Sequence, residues 1–213
     1  MVGTTPILLS DVNLATLLRL ADVDPEAPAE AQGAATLEAR IRLEVQYRSL
    51  EASGTVFRLE LDVAAVQEAL VERAGGRDLL GSLLEPAGLS WSDVEQLAVR
   101  SAAARAFVEQ RLRPRVSISM EEIEAAYRSI VVDHWDPSLE PPPPLLELKD
   151  QLHRLVVERK LNDEIERWIE QSREQIEVTV YRPRPAPTVP LAAAPATARE
   201  LPATGDDWTS GSP

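Results

Sequence analysis

The chain reads as a mainly α fold: a multi-helix domain with a small two-stranded β closure of the chain ends. Three observations predict this. The first is the stretch 144–175, which holds strong helix formers and no glycine or proline after Pro144, a residue suited to a helix's first turn. Its apolar residues fall in two sets at helical spacing. Leu145, Leu148, Leu152, Leu155 and Val156 share one face, while Val157, Leu161, Ile165 and Trp168 share another, each residue advancing about 100°. A helix with two apolar faces needs cover on both sides, so it acts as a spine. The second observation is Ile176-Glu177-Val178-Thr179-Val180-Tyr181, whose alternating β-branched residues spell a strand with one buried face. The third is Pro6-Ile7-Leu8-Leu9, a short apolar run of strand type. A lone strand leaves its backbone groups unpaired, and the two runs are natural partners.

The remaining elements follow in order. Ser10 reads as an N-cap with Asp11 favourable behind it, opening a helix from Asp11 to about Ala21. The segment Asp22–Gly33 is rich in Asp, Glu, Ala and Pro and reads as a loop. A second helix spans Ala35 to Ala52 and ends at Gly54. Asp62 caps a third, Val63–Ala74, which Gly75-Gly76 stops. A short helix covers Asp78–Glu85. Ser90-Trp91-Ser92-Asp93 is a capping box with Asp in place of Glu, opening a helix to about Leu112 that Pro114 breaks. Ser119-Met120-Glu121-Glu122 is a second capping box, and its helix carries Ile123, Ala126, Tyr127 and Ile130. The linker His134–Pro143 runs into Pro144 as extended polyproline. Residues 1–181 then form one domain. The Pro- and Ala-rich tail 182–213 has few large apolar residues and is expected to be disordered.

Composition limits the function. The formal net charge is −13, whereas phosphate binding calls for a basic surface; this argues against nucleic acid and anionic membrane surfaces as partners. In the tail Arg182, Arg184 and Arg199 balance Glu200, Asp206 and Asp207, so the charge sits on residues 1–181. The chain has no cysteine, which removes disulfides and thiolate chemistry. No apolar run is long enough to span a bilayer, and the start of the sequence shows no export signal. At 44% hydrophobic but only 4% aromatic content, the core is expected to be mainly Leu, Val, Ile and Ala.

Three segments in this order resemble the SurA-type periplasmic chaperones. PILLSDV at the start is similar to the segment after the first turn of those proteins. RLRPRVSISMEEIEAAYRSI, 111–130, resembles the end of their N-terminal module. KLNDEIERWIEQSREQIEVTV, 160–180, resembles their C-terminal helix and strand. The likeness covers nearly all of 5–181. It implies a SurA N-terminal-like chaperone domain, a periplasmic location and unfolded polypeptide clients. One departure matters: SurA-like proteins insert parvulin-type prolyl isomerase domains where this chain has only His134–Pro143. A small domain does not fit in that linker, so the resemblance implies the chaperone without the isomerase.

Among candidate sites, Asp133-His134-Trp135-Asp136 sets an imidazole between carboxylates, a pattern open to metal or general-base use but more simply a solvated helix end. Leu201-Pro202-Ala203-Thr204-Gly205 matches a sortase signal, yet lacks the apolar span and basic tail that such a signal needs, and reads as chance. Phe107, Tyr127, Trp135 and Trp168 are most of the large aromatics outside the tail. They are the candidate client-peptide residues, since aromatic and Leu side chains give sequence-tolerant affinity for extended chains; packing in the core is the simpler role. The expectation is a non-enzymatic chaperone module, with no cofactor, no metal, no small-molecule substrate and no membrane insertion. The alternative is a helical adaptor with one defined partner.

Overall fold

The computed structural model describes residues 1–24, 26–135 and 141–181. Residues Met1–Tyr181 make one unit. Seven α-helices are found among the described residues: α1 Leu9–Leu17, α2 Ala29–Ala52, α3 Val63–Arg73, α4 Arg77–Leu84, α5 Trp91–Phe107, α6 Met120–Tyr127 and α7 Leu145–Gln175. The mainly α architecture is as the sequence predicts.

The caps explain most boundaries. Asp62 accepts the Ala65 N–H at 3.0 Å and opens α3. The Ser90 N–H donates to the Asp93 carboxylate at 2.8 Å at the start of α5. The Ser119 N–H donates to Glu122 at 2.9 Å at the start of α6, and the Glu122 N–H returns to the Ser119 hydroxyl. Gly75 and Gly76, both near φ +100, stop α3 where a side chain would be strained. A Cβ on Gly75 would also meet Leu79 at 2.7 Å. Helices α5 and α6 each end in a π-helical turn, Val108–Leu112 and Arg128–Val132.

Two boundaries differ from the sequence reading. Helix α2 begins at Ala29, not Ala35, because Pro28 at the N-cap position is followed by Ala-Glu-Ala-Gln, and these formers outweigh the cost of about 1 kcal/mol for Gly33. The second difference is at the chain ends. Pro6–Leu9 is not a strand and does not pair with Ile176–Tyr181. Asp11 accepts the Leu8 N–H at 2.7 Å, which sets the helix cap at Leu8 and draws Leu9 into α1. No strand occurs among the described residues, only isolated bridges from Val2 to Thr5 and to Val178. The ends still meet. The Gly3 N–H donates to Glu177 at 2.8 Å and the Thr179 N–H to Met1 at 2.9 Å. Val2, not Pro6–Leu9, bridges to Val178, and it is fully buried against Ile41 and Val45 of α2.

The main core lies among α1 to α5 and gathers Leu14, Leu18, Leu70, Leu80, Val94 and Leu97 with their neighbours. Helix α7 buries its two apolar faces in different surroundings. Leu152 and Val156 are buried against Ile123 and Ala126 of α6, with Leu145 and Leu148 beside them. Further along, Leu161 and Ile169 are buried, and α7 runs against α2. Leu155 stays 42% exposed. We call α6, its π-helical turn and the first half of α7 the arm, and α1 to α5 the body.

Candidate peptide-binding surface

The four aromatics do not line one cleft. Phe107 closes α5 and Trp168 lies on the second half of α7. Their rings sit 4.4 Å apart at 40°, a separation at which aromatic pairs attract beyond simple burial. Both are half-buried over Leu50, Val56 and Ala103. Tyr127 is half-buried in the arm, packed on Ile123, Ala126 and Leu152. Its hydroxyl donates to the carbonyl of Pro143 at 2.9 Å, which pins the Pro-rich linker to the end of α6. Trp135 follows the second π-helical turn, its N–H donating to Val132 at 3.2 Å. Two of the four thus share a cluster, and the other two belong to the arm and its linker.

Exposed apolar side chains flank these clusters. Phe57 is 84% exposed on a short 3-10 turn, Val56–Arg58, whose Val56 lies in the Phe107–Trp168 cluster. On the arm Leu146 is 82% exposed, and Ile130 and Val132 are also open to solvent. Leaving such side chains in water forgoes about 1.5–3 kcal/mol each. Their signal in the sequence is faint, since Phe57 sits in a loop and Leu146 falls between the two apolar stripes of α7.

The polar centre of the body was not foreseen. Glu44 of α2 is fully buried. Its carboxylate accepts from Arg40 at 2.9 Å, from Arg48 at 2.9 Å and, across the helix pair, from Arg100 of α5 at 3.0 Å. Arg100 also lies over the Tyr47 ring. Burial alone would raise the Glu44 pKa; the guanidiniums of Arg40, Arg100 and Arg48 outweigh it and hold the carboxyl below its ordinary value. With both oxygens engaged, Glu44 is a fastener between α2 and α5, not a base open to a substrate.

Asp133 and His134 follow the second π-helical turn, and Asp136 lies outside the described residues, as does the sortase-like motif in 182–213. No group of three or more acidic or imidazole side chains gathers to hold a metal ion among the described residues. No helix among them is long and apolar enough to cross a membrane. A cleft of about 1010 Å³ opens between the end of α1, the start of α2 and Arg73. A smaller one of about 210 Å³ lies between α3 and α5. No protein family, curated protein or solved structure matches this chain.

Proposed function

We propose that the chain is a non-enzymatic chaperone module that holds extended segments of unfolded polypeptides, in the manner its resemblance to SurA-type chaperones implies. The observation that carries this reading is the exposure of large apolar side chains on a helical framework, Phe57 at 84% and Leu146 at 82%. Phe57 follows Val56, which packs in the cluster of the half-buried Phe107–Trp168 pair, and Leu146 shares the arm with Ile130 and Val132. Apolar contacts of this kind give affinity without reading a sequence, and the −13 charge keeps a loaded complex soluble. Exported proteins in the unfolded state are the client class, and the periplasm is the compartment in which such a holder would act. Binding unfolded chains shifts their aggregation by mass action alone, so no turnover is required.

The test is suppression of light scattering by an unfolded outer-membrane protein at equimolar chain. The parent should suppress aggregation; Phe57→Ser combined with Leu146→Ser should suppress it markedly less at unchanged melting temperature. Equal suppression by the double variant sinks the proposed surface. A proline-peptide isomerisation assay run beside it should show only the uncatalysed rate, and turnover above that rate refutes the non-enzymatic reading.

A further inference from the structure

Helix α1 ends in a paired stop. The Arg19 N–H donates to Thr16 at 3.0 Å and the Leu20 N–H to Ala15 at 2.9 Å, the two bonds that close a helix when the residue after its cap turns left-handed. That residue is Arg19, at φ +47, the one non-glycine in the left-handed region among the described residues. Glycine takes this conformation without the clash between Cβ and the following carbonyl. An arginine there carries strain that the helix stop does not need, and such strain points to a use for the side chain.

Arg19 lines the 1010 Å³ cleft. Arg73, from the last turn of α3, lines it too, and its Nη1 donates to the Arg19 carbonyl at 3.5 Å. Both guanidiniums are exposed and, like those of several other arginines, have no carboxylate partner among the described residues; what sets the pair apart is that both line one cleft. Asp22 is the acid in the lining, so two cations less one anion leave a local charge of +1. Leu20 and Val23 supply an apolar wall. We propose that this cleft binds a carboxylate carried on a short apolar body, with Arg19 and Arg73 as the recognition pair. A monoanion balances the local charge, while a dianionic phosphate would overshoot it. Two sources share this chemistry: the free C-terminus of an extended peptide and a small aliphatic acid. The proposal stands apart from the holding role, since none of the exposed apolar residues invoked there lines the cleft.

The full chain is titrated calorimetrically with octanoate and with the tripeptide alanyl-valyl-leucine, the latter as free acid and as C-terminal amide. At least one free carboxylate binds, and the amide binds at least about tenfold more weakly than the acid. Arg73→Gln and Arg19→Gly each lose about tenfold in affinity. Arg19→Gly also raises the melting temperature, because glycine relieves the left-handed strain, which separates lost recognition from lost folding. Arg154→Gln, on the exposed side of α7, binds like the parent. Octanoate alone binding supports the cleft as a site for a small acid; the free-acid peptide alone binding supports it as a site for a chain terminus. No binding of either acid at millimolar concentration, equal binding of acid and amide, or unchanged affinity in both arginine variants overturns the proposal.

Discussion

The two halves of α7 lie in unlike company. Its second half runs along the body, where Trp168 meets Phe107, Arg42 pairs with Glu166 at 2.5 Å and Arg173 pairs with Glu38. Its first half packs chiefly on α6, and the seam holds four buried residues, Ile123, Ala126, Leu152 and Val156. The body core holds fourteen. The arm adds polar ties: Lys160 reaches Glu122 at 2.6 Å and the Ser117 carbonyl at 2.8 Å, and Arg113 reaches Glu158 at 2.9 Å. These are exposed and screened, and they orient the arm more than they stabilise it. One continuous helix therefore joins a deeply packed region to a thinly packed one. Local opening free energy follows buried apolar contact, so the arm opens before the body does.

The largest loss is expected at Glu44. Glu44→Ala leaves Arg40, 5% exposed, as a buried charge short of its partner, and should cost about 3–5 kcal/mol in chemical denaturation. A loss under 1 kcal/mol would mean that the body does not depend on this fastener. The same residue sets an acid limit. A carboxyl held below 4.5 when folded contributes stability that is complete above the unfolded value and lost as pH falls through the folded one. Thermal melts of the parent should therefore decline below pH 4.5, and Glu44→Gln should flatten that decline.

Next comes Trp168→Ala. The ring is half-buried on Phe107, so the loss should approach the lower end of the range for a large aromatic, about 3 kcal/mol. No change in melting temperature would move Trp168 from the fold to the binding surface. Leu152→Ala sharpens the contrast itself. Hydrogen exchange should quicken across α6 and the first half of α7 and leave α3 and α5 as protected as before. Uniform loss of protection would show that arm and body open together. The smallest effect belongs to Thr179→Pro, which removes the N–H donated to Met1 and should cost about 1 kcal/mol.

The sequence shows these regions unevenly. Caps with a side chain three residues from its target were legible, as at Asp62, Ser90 and Ser119, because capping is local chemistry. The two faces of α7 were legible from period alone, but their different partners were not. The start of α2 was hidden by Gly33 and by the acidic run before it, whose composition suits a loop as well as a first turn. Leu8 and Leu9 read as strand until the carboxylate of Asp11 claims the Leu8 N–H. Glu44 was the least visible. Arg40, Glu44 and Arg48 repeat at four-residue spacing, which signals pairing on a helix face, but burial depends on Arg100, distant in the chain. The candidate aromatics could be picked by type, while their division between body and arm depends on packing between distant segments.

The contact of Val2 with Val178 carries a consequence for the order of assembly. Val2 sits on Ile41 and Val45, and Ile176 and Val178 complete that cluster. A ribosome delivers Val2 and α2 early and the closing residues some 130 positions after Val45. At about 5–20 residues per second, the α2 face that receives them waits for about 7–26 seconds with its cover unmade. Loop closure over such a separation is also the slowest contact to form in a free chain. The seam between Val2 and Val178 should therefore be the last joint of the fold to be set, an order that pulse-labelled hydrogen exchange during refolding checks.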